Sequence, residues 1–129
     1  MEIIIDTNFI LTCVKQKIDL FSDFDEIFGV YTLIIPEQVI DELKLLKTKK
    51  NLTVKEKNSV ELAIDLLNLK KVKIVNMKTK NVDAGIIKYL NNQNNKCVLA
   101  TLDKDLIKKI TNKKILFLTI KDKRRVVLV

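Results

Sequence analysis

Glu2-Ile3-Ile4-Ile5-Asp6 sets three consecutive isoleucines between two acids. A run that is apolar at every position suits a strand buried on both faces, as happens inside a parallel sheet. β-Branched side chains favour that extended form. Asp6 ends the run, and a carboxylate there is costly to bury unless it is paired or bound to a metal.

Four more stretches repeat the pattern: Tyr31–Ile35, Val72–Val75, Cys97–Thr101 and Ile115–Thr119. Helical periodicities lie between them. Pro36 suits the first position of a helix running to Lys47, with Val39, Ile40, Leu43 and Leu46 on one face. Thr53 and Glu56 form a capping-box pattern, and that helix continues through Val60, Ala63, Ile64 and Leu67. Asp83 is expected to open a helix with Ile86, Ile87 and Leu90 inward, and Asp103 a shorter one ending at Ile110. Residues 18–28 predict an aromatic-rich amphipathic helix whose Phe21, Phe24 and Phe28 pack into the core. Residues 47–58 predict a solvated connection. Strands alternating with helices predict an α/β fold, a three-layer α/β/α sandwich with a central, mainly parallel sheet of about five strands. Val126-Val127-Leu128-Val129 predicts an edge strand, paired as a hairpin with Ile115–Thr119. Glycine occurs twice and proline once in 129 residues, so linkers are scarce and one domain over 1–129 is expected.

Composition removes several chemistries. The chain has no histidine, which excludes Ser-His-Asp and Cys-His catalysis and His-ligated zinc. Cys13 and Cys97 stand in apolar surroundings outside any CxxC, so they read as buried thiols. No apolar run approaches the roughly 18–20 residues of a membrane helix, and the opening residues lack the basic region of a signal peptide. A cytoplasmic location, away from any membrane, is expected. Twenty-four basic against 16 acidic residues give a net charge of +8, which suggests a polyanionic partner.

In open α/β sheets, sites form beyond the carboxyl ends of the strands. Asp6 ends the first strand, Glu42 lies in the helix after the second, Asp83 starts the helix after the third, and Asp103 follows the fourth. Asp105 lies just beyond. Carboxylates converging in one cleft repel by several kcal/mol, and a divalent cation relieves that repulsion. Oxygen ligands without histidine or thiolate select Mg²⁺ or Mn²⁺ over zinc. Asp41 competes with Glu42, but adjacent helical positions point about 100° apart, so one of them faces the cleft. Glu42, at the edge of the apolar stripe, is the better placed.

Ile3-Ile4-Ile5-Asp6-Thr7-Asn8, Val39-Ile40-Asp41-Glu42-Leu43, Val82-Asp83-Ala84-Gly85-Ile86 and Ala100-Thr101-Leu102-Asp103-Lys104-Asp105-Leu106 together resemble the PIN-domain family. The order and context match over nearly the whole chain. The resemblance implies a Mg²⁺- or Mn²⁺-dependent endoribonuclease with Asp6, Glu42, Asp83 and Asp103 as its acidic quartet. Asp6, Asp83 and Asp103 would bind metal. Asn8 and Thr101 match polar residues that support the quartet, and Asp105 matches a frequent fifth acid. Lys104, Lys108, Arg124 and Arg125 are the candidate RNA contacts, gripping phosphates rather than bases. Homodimers are common in the family. A VapC-type toxin would pair with an antitoxin, whereas the rRNA-processing branch would pair with ribosome-assembly partners. A haloacid-dehalogenase-type phosphatase needs a second Asp where Asn8 stands, and a response-regulator receiver needs one where Asn76 stands. A catalytically silent PIN-like scaffold, binding RNA or protein in a ribonucleoprotein, is the remaining alternative.

Overall fold

In the computed structural model, which describes residues 1–129, the isoleucine run is strand β1 (Glu2–Ile5), and all three isoleucines are 0% exposed. There follow α1 (Thr7–Lys15), α2 (Leu20–Phe28), β2 (Thr32–Pro36), α3 (Glu37–Lys47) and α4 (Val54–Leu69). The second half comprises β3 (Val72–Val75), α5 (Val82–Asn91), β4 (Cys97–Ala100), α6 (Lys104–Lys109), β5 (Ile115–Lys121) and β6 (Arg125–Leu128). The sheet has six strands in the order β3-β2-β1-β4-β5-β6. The first five run parallel, and β6 returns antiparallel to β5.

The chain winds outward from β1 through β2 to β3, then crosses back to β4. Right-handed crossovers place helices made on the outward path on one face and those made on the return on the other. The apolar packing follows this division. Ile3 and Ile5 join a core with Phe9 of α1, Phe24 of α2, Leu43 of α3 and Leu67 of α4. Ile4 joins the opposite core with Ile86 and Leu90 of α5 and Leu106 of α6. Each buried isoleucine contributes roughly 1.5–3 kcal/mol, so β1 anchors both layers. The reversal falls between β1 and β4, and in doubly wound sheets that is where a crevice opens at the carboxyl ends.

Several local expectations shift. Helix α1, unexpected from the pattern, follows β1 directly. Pro36 sits one residue before α3, since its ψ of 136° keeps it extended at the end of β2. α5 is capped by Asn81, whose side chain accepts from the Ala84 N–H at 3.2 Å, so Asp83 lies inside the first turn. Thr53 does cap α4, accepting from Glu56 N–H at 3.1 Å, and the solvated connection shrinks accordingly to residues 48–53. The expected edge strand begins at Arg125. α2 lies against it, and the Val126 N–H donates to Asp23 Oδ2 at 2.9 Å, which blunts that sheet edge. Phe21 and Phe24 are buried and Phe28 is half-buried. Cys13 and Cys97 are buried free thiols, with burial pushing them up to about 12 and about 11. No helix is long and apolar enough to cross a membrane.

Candidate active site

Asp6 leaves β1 and at once becomes the N-cap of α1. Its Oδ1 accepts from the Phe9 N–H at 2.9 Å, and its Oδ2 accepts from the Thr101 hydroxyl. The sheet fixes this pairing. Ile5 of β1 is in register with Ala100 of β4, and the Asp6 N–H continues the ladder to the Ala100 carbonyl at 3.3 Å. The next residue, Thr101, is 0% exposed and donates its own N–H to the Leu118 carbonyl of β5 at 3.3 Å. Its hydroxyl oxygen accepts from the Asp103 N–H at 3.1 Å. Asp103 in turn caps α6, its Oδ1 accepting from the N–H groups of Asp105 at 2.9 Å and Leu106 at 3.1 Å. One buried threonine thus orients both a carboxylate and the backbone that carries a second one.

The facing wall comes from the other side of the switch point. On α3, Glu42 Oε2 accepts from the Thr7 hydroxyl at 2.8 Å. Asp83 is exposed in the first turn of α5. Between these elements opens a cleft of about 450 Å³, lined by Asp6, Thr7, Asn8, Thr12 and Glu42, with Val82, Asp83, Leu102 and Asp103 completing it. That volume lies within the roughly 300–1,000 Å³ of ligand sites.

The four acids expected at the strand ends therefore share one cleft, with Asn8 among them and Thr101 beneath. Glu42, not Asp41, faces it. Asp41 lines a separate hollow with Glu37, Gln38, Asn76 and Thr79. Asp105 does not line the cleft; its backbone helps cap Asp103 while its side chain is exposed. Lys104, Lys108, Arg124 and Arg125 are all exposed and none lines the cleft. Thr12 was not foreseen. It reaches the cleft because α1 brings it one turn beyond Asn8, and without α1 no spacing marks it.

Burial pushes Asp6 above its ordinary value of 3.8. The bonds from Thr101 and Phe9 pull it down, and the charges of Asp83 and Asp103 push it up again. Asp6 thus senses the charges of Asp83 and Asp103 across the cleft. No three of the cleft acids stand close enough to enclose an ion between them. The donor set nonetheless suits Mg²⁺, which keeps several waters and takes one or two carboxylates plus a substrate phosphate rather than a closed protein cage. An open, all-oxygen cleft fits that habit.

A family model described as a PIN-like domain matches residues 3–123. Ribonuclease VapC4 of Methanocaldococcus jannaschii is 28% identical over 124 residues, covering 95% of this chain and 92% of that protein. Among solved structures, the PIN domain endonuclease Utp24 is similar with a TM-score of 0.71 and 25% identity, over 99% of this chain and 92% of that one. VapBC2 from Rickettsia felis, solved bound to a DNA fragment from its promoter, gives a TM-score of 0.62. Its 15% identity, over 92% of this chain and 98% of that one, makes the likeness one of fold.

Proposed function

The chain belongs to the PIN-like domain family, and from that membership and its carboxylate cleft we propose that it is a Mg²⁺- or Mn²⁺-dependent endoribonuclease of the cytoplasm. One observation carries the reading: acids from four separate segments line one cleft at the switch point of the sheet. The name of the relative, a ribonuclease, supports RNA as the substrate.

Asp6, Asp83 and Asp103 would hold the metal. When bound, it supplies Lewis acidity at the scissile phosphate and acidifies a water. The chain's residues do the rest. Thr101 and the Phe9 N–H fix Asp6 so that its remaining lone pairs face the cleft. Thr7 holds Glu42 through Oε2, which leaves Oε1 to orient the attacking water and take its proton. Asn8 offers an amide to the phosphate, and Leu102 and Val82 supply the apolar part of the cleft wall.

The experiment is cleavage of single-stranded RNA by the purified chain in Mn²⁺ or Mg²⁺. Chelation is expected to stop it, and Asp103→Asn to slow it by about 10²–10³-fold. Equal cleavage by both proteins would expose a contaminant and end the case. RNA binding without cleavage in either metal would instead identify the silent scaffold. Growth arrest on expression, relieved by a small antitoxin, would assign the toxin role; cleavage of an rRNA precursor without arrest would assign processing.

Substrate grip is placed on Lys104, Lys108, Arg124 and Arg125. Ala100 of β4 pairs with Leu118 of β5, and β5 continues to Lys121, three residues or about 10 Å further. The hairpin turns at Asp122 and Lys123, with φ of 57° and 56°, as type I′ turns require. Its basic tip therefore overhangs the carboxyl end of the sheet, where α6 also begins with Lys104. Replacing Arg124 and Arg125 together by alanine is expected to raise KM with kcat unchanged. The slope of log affinity against log salt should fall by about 1.4, two single-strand phosphate contacts at roughly 0.7 each. An unchanged slope would remove the hairpin from the RNA path.

A further inference from the structure

Resting on the ribonuclease reading, we infer that Gln38 is a positioning residue: with Gly85 it clamps the loop between β3 and α5 and so sets where Asp83 stands relative to Glu42. Gln38 and Glu42 lie one turn apart on α3, on neighbouring positions of one helical surface. Glu42 reaches the cleft, while the Gln38 Nε2 donates to the Thr79 carbonyl at 2.9 Å. Thr79 lies four residues before Asp83. A single side chain thus joins the helix of one cleft acid to the loop that delivers another.

The loop is well built to transmit that restraint. The Lys78 N–H donates to Asn76 Oδ1 at 2.8 Å, with Lys78 in the left-handed region at φ 57°. The Thr79 hydroxyl donates to the Asn81 carbonyl at 2.8 Å, and Asn81 caps α5. From the other side, α5 presses close through Gly85, where a Cβ would lie 2.6 Å from both Met77 Cβ and Thr79 Oγ1. Thr79 is therefore held between the Gln38 amide and the bare Cα of Gly85. The other half of that amide, Oε1, is buried without a partner. An apolar residue of similar size would avoid that orphaned acceptor, so the amide is a poor choice for packing alone.

Gln38→Leu in the full chain is the test, with two readouts. Hydrogen exchange of the Gly85 N–H, which donates to the Asn81 carbonyl at 3.1 Å, reports the loop itself without metal. Its protection is expected to fall at least about 10-fold while the melting temperature stays close to wild type. Calorimetric Mn²⁺ titration reports the consequence: affinity is expected to fall about 10- to 100-fold. That loss should shrink in an Asp83→Asn background, because the clamp acts through Asp83. Gly85→Ala, which pushes Thr79 from the other side, should reproduce the Mn²⁺ defect. Unchanged Gly85 exchange in Gln38→Leu overturns the clamp. Equal Mn²⁺ losses with and without Asp83 overturn its link to that acid. Lost exchange protection in Gln38→Leu, beside a wild-type chain that binds no Mn²⁺, would keep the clamp and sink the metal-nuclease reading instead.

Discussion

Asp6→Asn should abolish cleavage and, in metal-free buffer at neutral pH, raise the melting temperature. The two effects share one cause. Burial holds the Asp6 carboxyl above its ordinary 3.8, and the charges of Asp83 and Asp103 add to that. An acid harder to ionise in the folded than in the unfolded chain binds its proton more tightly when folded. Its contribution to stability is whole below about 3.8 and is lost as pH rises through the higher folded value. At neutral pH the ionised group opposes folding. Asparagine removes the charge and keeps the oxygen that caps α1 at Phe9 N–H, because Asn and Asp cap about equally well. The stability gap between variant and wild type should therefore narrow as pH falls toward 3.8. Added Mn²⁺ should reverse the order. Wild type gains about 2.7 kcal/mol at a hundredfold excess over Kd, and the variant, missing a ligand, gains little. Activity should drop by about 10²–10³-fold or more. Thermal unfolding across pH, with and without Mn²⁺, reads all of this. A variant that melts below wild type in metal-free buffer and still cleaves RNA would contradict both halves of the argument.

That double role of Asp6 also marks what the sequence could and could not reveal. Its acid at the end of an isoleucine run was conspicuous because a strand buried on both faces has no cheap place for charge. The other acids were legible for a similar reason: each follows a strand or sits in the helix after one, and parallel strands all point the same way. α1 escaped notice because its apolar residues, Phe9, Ile10, Leu11, Cys13 and Val14, leave no clean polar face. It packs against α3 and α4 and is buried on more than one side. Its cap is no clearer in sequence, since the same Asp6 carboxylate reads equally as a metal ligand. Asp83 reads as the helix opener, one residue late, because an acid in a first turn and an acid at a cap look alike in sequence. Gln38 carried no signal at all, since its importance depends on how closely a loop 41 residues away approaches α3. The overhang of the basic hairpin needed the β4–β5 register, which short apolar runs do not specify.

Phe24→Ala should produce the opposite pattern from Asp6→Asn: a large loss of stability with the chemistry intact. Phe24 is 0% exposed and is met edge-on by two rings, Phe21 at 6.2 Å and Tyr31 at 5.7 Å between centroids. Truncating such a ring removes its burial and leaves a cavity that neighbours only partly fill, a cost of about 3–5 kcal/mol. Against a total of about 5–15 kcal/mol for a domain, this is a substantial fraction. The melting temperature should fall by roughly 10–20 °C. Yet no residue of α2 lines the cleft, and the bonds that set Asp6, Thr101, Asp103 and Glu42 run through β1, β4, α1 and α3. Below its own melting point the variant should therefore keep wild-type kcat and Mn²⁺ affinity. Cleavage assays at 10 °C beside a thermal melt decide it. If activity fell while the variant was still folded, α2 would be coupled to the cleft. The parallel strands would then not suffice to hold the acids in place. If activity persisted, the carboxylate cluster would be shown to stand without the Phe24 packing, with α2 serving to keep the β6 side of the sheet covered.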